Sequence, residues 1–184
     1  MENLAPAGSM EALRRAVAAG ADAVYLGYAA FSARAGAGNF DAEELREAVR
    51  YCHLHHVRVH VTVNTLVKDS ELDAVTDVLR LLNQLRVDGV LVQDLGVADL
   101  LRTRFPDLPA HASTQMTLHN ASGVRFVRDM GFTRAVLAFF ALLLFWPHHL
   151  KLKEKKQEFV FAGAGLFGLV LYFMLENTAL TMTY

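Results

Sequence analysis

Several polar residues with hydrogen-bonding or acid–base capacity stand at the ends of short apolar runs in this chain. They are Tyr25, Asn64, Gln93, Asp94, His111, Ser113, Thr114 and Gln115. Amides and hydroxyls donate and accept hydrogen bonds, whereas in this set only Asp94 and His111 are suited to general acid–base work. We therefore predict that the set lines a pocket for a peptide or small-molecule ligand. The alternative is that Asn64 and Gln93 only cap strands and bond to adjacent loops.

Ser113 and His111 form the one pair in this set that suggests a serine nucleophile. Side chains two positions apart on a strand share a face, but this spacing does not establish the geometry of a Ser-His-Asp triad. No G-x-S-x-G turn surrounds Ser113. The sequence therefore disfavours a serine protease.

A second cluster, Cys52-His-Leu-His-His56, contains residue types that ligate zinc. A closed zinc site needs three or four converging ligands, and no second ligand pair follows at finger-like spacing. We interpret the cluster as the polar end of a helix and predict no metal site. Because the sequence contains a single cysteine, this chain alone forms neither an internal disulfide nor a four-cysteine iron–sulfur site.

The elements that position these residues alternate, over residues 1–138, as short apolar runs and longer amphipathic stretches, which is typical of parallel strands and helices. The predicted strands are Leu4–Ala5, Ala23–Leu26, Val57–Val63, Gly89–Val92, Ala110–Ser113 and Arg134–Leu137. The predicted helices are Ser9–Ala19, Asp41–His56, Ser70–Leu85, Val97–Phe105 and Asn120–Met130. Asp41 followed by Glu44 predicts a capped helix start. Ser70 followed by Asp73 predicts another.

Units of one strand and one helix fit either an open doubly wound sheet or a (β/α)₈ barrel. The loop Pro6-Ala-Gly-Ser9 has one glycine and no G-x-G-x-x-G phosphate turn, which disfavours a dinucleotide fold. We therefore predict an α/β fold in which residues 1–138 form an incomplete (β/α) TIM-barrel-like region. One or two transmembrane helices are predicted to follow within residues 139–184.

Composition changes near residue 138. All 13 arginines lie before this point, and four of the five lysines lie after it. The formal net charge of the whole chain is −1, so the charge balance makes no nucleic-acid partner evident. The N-terminus lacks the long apolar core of a signal peptide, and we therefore expect the N-terminal region in the cytoplasm.

The last part of the chain has the composition of a membrane protein. Residues 135–147 and 159–183 are mainly apolar and flank a lysine-rich loop, which predicts contact with lipid of the inner (cytoplasmic) membrane through both runs. The glycines of 163–168 then favour helix packing over nucleotide binding. Glu176 and Asn177 are polar groups in or at the edge of a membrane helix, where an ionisable residue is often functional.

Five motifs occur in order between Asn3 and Ala138. They are Leu4-Ala-Pro-Ala-Gly-Ser9, Gly20-Ala-Asp-Ala-Val-Tyr-Leu-Gly27, Phe31-Ser-Ala-Arg-Ala-Gly-Ala-Gly-Asn-Phe40, Val61-Thr-Val-Asn-Thr-Leu66 and His111-Ala-Ser-Thr-Gln115. Together they closely resemble peptidase family U32. The resemblance implies a barrel-like domain of the collagenase-like proteases, a family in which some members instead act in hydroxylation of ubiquinone precursors or ribosomal RNA. It also implies a cysteine-rich iron–sulfur region, which this chain lacks, so we expect no cofactor in this chain and no activity from it alone.

A different resemblance begins at Arg134. The apolar run from Ala138 to Pro147, the lysine-rich loop and the run from Gly163 to Asn177 resemble EamA-type drug/metabolite transporters. Because residues 134–138 fit both patterns, we hypothesise a chimeric, fused chain. A peptidase-like enzyme fragment is the first interpretation; the alternatives are a transporter fragment and a membrane-tethered binding module.

Overall fold

Six parallel strands and five helices alternate in the computed structural model, which describes residues 2–33 and 38–136. The strands are β1 (Leu4–Pro6), β2 (Ala23–Gly27), β3 (Arg58–Val63), β4 (Gly89–Val92), β5 (Ala110–Ala112) and β6 (Arg134–Ala135). The helices are α1 (Met10–Ala18), α2 (Ala42–Leu54), α3 (Leu72–Leu85), α4 (Leu95–Arg104) and α5 (Ala121–Asp129). The strands lie side by side in sequence order, so the predicted β-α repeats are confirmed.

One face of the sheet carries the apolar core. Its buried strand residues are Val24, Leu26, Val59, Val61, Val63, Val90, Val92, Ala110 and Ala112. They pack in one cluster with buried helix residues such as Leu45, Leu79 and Leu101. Because strand side chains alternate between faces, the residues between these positions lie on the opposite, inward face.

The sheet is curved rather than flat. The carboxylate of Glu2, just before β1, lies 2.8 Å from Arg134 Nη2 on β6 and 3.1 Å from Arg58 Nη2 on β3. In a flat sheet β1 and β6 would be about 24 Å apart, at about 4.8 Å per strand, which is farther than these two side chains reach together. The contacts therefore require the sheet to curl, as in part of a (β/α) barrel, and they disfavour the open sheet.

Helix α2 begins with the predicted capping box. Asp41 Oδ1 accepts hydrogen bonds from the backbone N–H groups of Glu43 and Glu44 at 2.8 and 2.9 Å, and Glu44 Oε2 accepts one from Asp41 N at 3.1 Å. The predicted cap at Ser70 is wrong. A 3₁₀ turn, Asp69–Glu71, precedes α3, and Glu71 Oε2 instead accepts a hydrogen bond from Lys68 N at 2.9 Å.

Asp41→Ala should lower the free energy of unfolding by about 1 kcal/mol, because two N–H groups lose their acceptor at the start of α2. Ser70→Ala is the matched control and should change stability little, since Ser70 does not cap α3. Urea unfolding of the full chain followed by circular dichroism measures both effects. Equal losses in the two variants would contradict this assignment of the caps.

No helix in residues 2–33 and 38–136 has the length and apolar character needed to cross a membrane. Arg134 and Ala135, which fitted both a strand and a membrane helix, belong to β6. The rest of the predicted membrane runs, including Glu176 and Asn177, lies outside the described residues. The same holds for the predicted domain 139–184.

Candidate functional site

The carboxyl ends of the parallel strands bring the predicted polar residues to one edge of the sheet. Asn64 follows β3, Gln93 follows β4 and Ser113 follows β5. By alternation along their strands, all three continue the inward face that carries Tyr25, so the structure brings together most of the predicted set. In (β/α) barrels this edge is where ligands bind.

Asn64 forms hydrogen bonds with several elements at this edge of the sheet. Its Oδ1 accepts a hydrogen bond from Ala33 N at 3.1 Å, its backbone N–H donates to Phe31 O at 2.9 Å, and its Nδ2 donates to Ser113 Oγ at 3.3 Å. The side chain therefore links β3 to the loop after β2 and to the end of β5. This supports the alternative in which Asn64 holds strands and loops in place.

Asp94 also serves the fold. Its Oδ1 accepts a hydrogen bond from Val97 N at 3.0 Å, which caps α4, and its Oδ2 accepts one from Val67 N at 3.3 Å. Both carboxylate oxygens are thus engaged with the backbone. Gln93 differs, because its half-buried side chain forms no hydrogen bond with the part of the chain that the structure describes. Among the strand-end amides, Gln93 is the one available to a ligand.

Ser113 is buried and is not part of a nucleophile–base pair. Its hydroxyl oxygen accepts a hydrogen bond from Asn64 Nδ2, and it lies 3.4 Å from the N–H of Gln115. Thr114 begins a short 3₁₀ turn and is exposed, whereas Gln115 is half-buried. The geometry therefore provides hydrogen-bonding groups at this edge rather than an activated serine.

A second hydrogen-bonded group at this edge was missed by the sequence analysis. Thr62 Oγ1 lies 2.9 Å from Ser32 Oγ and donates to Leu26 O at 3.3 Å. Gly27 makes room for this group, because a Cβ at that position would come within 2.7 Å of Ser32 Oγ. The available signal was the alternation Thr62, Val63, Asn64, which places Thr62 and Asn64 on the same face.

Two histidines lie deeper on the inward face. His60 on β3 and His111 on β5 are 2% and 5% exposed, and their ring centroids are 4.8 Å apart. Burial lowers the pKa of both histidines. His60 and Arg134 lower the pKa of His111 further, to about 4. Both rings are therefore neutral at pH 7. His111 was predicted as a site residue; His60 was not, because it stands in an apolar run that looked uniformly buried.

Charged groups occupy the opposite, amino-terminal end of the inward face. Glu2 contacts Arg134 and Arg58, as described above, and its Oε1 lies 3.9 Å from His60 Nε2. The hydrogen bond from Arg134 lowers the pKa of the Glu2 carboxyl, and so do the positive charges of the two arginines. This ion cluster joins the start of the chain to β3 and β6.

The Cys52–His56 segment lies apart from this face, at the end of α2. Cys52 is fully buried in the apolar core, and burial raises the pKa of its thiol to about 11. His53 Nε2 lies 2.9 Å from Asp88 Oδ2, which also accepts a hydrogen bond from Val59 N. The single cysteine of the sequence is thus a core residue, and this chain does not supply the thiolates that an iron–sulfur cluster needs.

An apolar cleft of about 220 Å³ lies on the outer side of the sheet. Its lining includes Leu101 and Phe105 from the α4 region and Phe132 after α5. It is found near the amino-terminal ends of β5 and β6, away from Asn64 and Gln93. The cleft therefore does not belong to the strand-end site.

Comparison with known proteins agrees with the barrel-like fold. The family model "Peptidase family U32" matches residues 8–139. The chain is 36% identical over 137 residues to the tRNA hydroxylation protein P1 of Bacillus subtilis, covering 74% of this chain and 32% of that protein. It is 37% identical over 138 residues to the 23S rRNA 5-hydroxycytidine C2501 synthase of Escherichia coli, covering 75% of this chain and 20% of that protein. The chain thus spans a third or less of these relatives.

A solved structure described as the U32 peptidase Mk0906 matches 74% of this chain and 58% of its own, with a TM-score of 0.61 and 16% identity. A structure of phosphoribosylanthranilate isomerase from Thermotoga maritima matches 79% of this chain and 70% of its own, with a TM-score of 0.51 and 14% identity. These similarities concern the fold alone. The comparisons give no support to a transporter fragment or a fused chain. The match over residues 8–139 shows that the chain belongs to peptidase family U32.

Proposed function

We propose that this chain supplies the first six strands of a barrel that acts in the hydroxylation of RNA, and that it is not a peptidase. The observation that carries the proposal is the similarity, over 137 and 138 residues, to proteins named for tRNA and rRNA hydroxylation. The collagenase of Porphyromonas gingivalis is also similar, with 32% identity over 126 residues. The identities alone do not separate the two activities.

The geometry of the site disfavours proteolysis by a serine nucleophile. A peptidase of the serine type needs a hydroxyl hydrogen-bonded to a general base. The Ser113 hydroxyl is instead engaged by Asn64 and Gln115. The His111 ring packs against His60, and among the described residues no hydrogen bond joins it to Ser113. Within residues 2–33 and 38–136, the strand ends therefore offer recognition groups and no activated serine.

The proposed role of the strand-end site is recognition of the reacting group. The Gln93 amide has one acceptor and two donor positions, which suits the edge of a nucleobase. The net charge of −1 gives this chain no excess of phosphate-binding cations. We therefore assign to this chain a part in the reaction pocket, and we place the proposed activity in the cytoplasm.

A segment exchange tests the proposal. The 137-residue stretch of the Bacillus subtilis tRNA hydroxylation protein P1 that aligns with this chain is replaced by the corresponding residues of this chain, in a strain lacking the native gene. Mass spectrometry of tRNA nucleosides should show that hydroxylation is restored. A soluble, folded hybrid without hydroxylation would count against the proposal. Cleavage of gelatin by that hybrid would favour the peptidase.

Gln93→Ala in the hybrid should reduce tRNA hydroxylation at least tenfold, the equivalent of about 1.4 kcal/mol for one lost hydrogen bond to the reacting group. Its thermal stability should stay unchanged, because Gln93 bonds to no described residue. Gln84→Ala, at an exposed position on α3, is the matched control and should leave both properties unchanged. Full activity of the Gln93 variant would remove Gln93 from the proposed pocket.

The transporter fragment and the membrane-tethered binding module remain sequence-based alternatives. Both depend on residues 139–184, which lie outside the described residues. No feature of residues 2–33 and 38–136 favours either of them over an RNA-directed barrel.

A further inference from the structure

The inward face of the sheet carries many polar side chains. Its polar members on β2, β3, β5 and β6 are Tyr25, Arg58, His60, Thr62, His111 and Arg134. In (β/α) barrels the interior is normally filled by layers of branched apolar side chains. Most of the apolar strand residues lie on the opposite face, beneath the helices, whereas Ala23 and Leu91 are on the inward face. The polarity of the interior therefore needs a cause other than packing.

His60 is the buried side chain of this face whose polar atoms the described residues leave unsatisfied. Its side chain is 2% exposed, yet neither ring nitrogen has a hydrogen-bond partner among the described residues. A buried polar group without a partner destabilises a fold, and such groups are usually satisfied by a bound water or ligand. His111 lies against the same ring. Two imidazoles thus present nitrogen atoms to the interior.

The charges around these rings indicate what kind of group they would take. Two guanidinium groups, Arg58 and Arg134, are paired with one carboxylate, Glu2. With both histidines neutral, Glu2, Arg58 and Arg134 together have a net charge of +1, and Asp88, whose charge also acts on His60, contacts His53 instead. This net positive charge opposes a metal cation and favours a single negative charge. Neutral imidazole N–H groups and guanidinium N–H groups are both suitable donors to an oxyanion.

We propose that the inward face between His60, His111 and the arginine pair is a binding site for a small oxyanion, a carboxylate or a phosphate group. The site lies on the inward face, below the strand-end edge. The inference does not depend on the RNA substrate, because it rests only on contacts and charges inside the barrel.

NMR of the full chain with ¹⁵N-labelled histidine tests the site. Sodium acetate and sodium phosphate are added at pH 7 and constant ionic strength, with sodium chloride as the reference. At least one of the two anions should shift the ring signals of His60 and His111 in a saturable manner. A response to acetate alone identifies a carboxylate site, and a response to phosphate alone identifies a phosphate site. Ring shifts no larger than those in chloride would overturn the proposal.

His60→Leu separates binding from a structural role. Replacing an unpartnered buried imidazole by an apolar side chain should raise the midpoint of thermal unfolding by roughly 2–4 °C. It should also abolish the anion response of His111. Arg14→Gln, which removes an exposed ion pair with Glu47, is the control and should keep that response. Retention of the response in His60→Leu would place the anion elsewhere and overturn the proposal.

Discussion

Alanine in place of Gly89 should lower the free energy of unfolding by about 2–3 kcal/mol. Gly89 begins β4 on the inward face, in register with His60. A Cβ at this position would lie 2.5 Å from His111 Cε1 and 2.9 Å from His111 Nε2. The His111 ring cannot move away freely, because it is buried against His60. The added methyl group must therefore displace either the ring or the strand.

Urea unfolding of the full chain measures the effect of Gly89→Ala. Gly8→Ala is the matched control, because a Cβ there meets its nearest neighbour at an ordinary 3.8 Å. In a double-mutant cycle, His111→Ala should remove most of the cost of Gly89→Ala, since it removes the clashing ring. If Gly89→Ala cost the same with and without the ring, the predicted clash between the two residues would be wrong.

The strands and helices could be predicted from the sequence because their signals are local. The valine-rich run ending at Val63 and the Asp41–Glu44 cap depend only on nearby residues, and both appear as predicted. The predicted helix cap at Ser70 is wrong because that prediction, too, used only nearby residues. Its pattern fits a cap, but the Glu71 carboxylate bonds to Lys68 N and continues the 3₁₀ turn through Ser70.

The roles of the site residues depend on contacts between strands, which the sequence does not contain. Asn64 and Ser113 were both predicted to line the pocket, but their mutual hydrogen bond makes Asn64 a tie between elements. Gln93 was predicted to line the pocket in the same way as Asn64, but its side chain forms no hydrogen bond with the described residues. The sequence also does not show that the His111 ring, which occupies the space beside Gly89, meets His60 across β4.

Acidification from pH 7 to pH 5 should lower the free energy of unfolding by about 2 kcal/mol through His111 alone. Its pKa is about 4 in the folded protein, lowered first by burial and then by His60 and Arg134. In the unfolded chain it is near 6.5. Between these values the unfolded chain binds more protons, so stability falls as the pH falls. The pKa of His60 is also lowered, first by burial and then by Arg134, so His60 acts in the same direction.

Glu2 contributes in a lower pH range. Its pKa is lowered from the ordinary value of 4.5, chiefly by the hydrogen bond from Arg134. The stability from its carboxylate is therefore fully present above pH 4.5 and is lost as the pH falls through the lowered pKa. A loss of stability between pH 7 and pH 5 consequently reports on the two histidines and not on Glu2.

Urea unfolding at pH 7, 6 and 5 tests the histidine pair in the full chain and in His111→Gln. The variant should lose much less stability on acidification, and what remains should come mainly from His60. His119→Gln, at an exposed position, is the matched control and should keep the full pH dependence. An unchanged pH dependence in His111→Gln would mean that His111 takes up protons equally in the folded and unfolded states. That result would contradict its burial as a neutral ring, because a buried imidazole that protonates near pH 6.5 must have a compensating anion or water beside it.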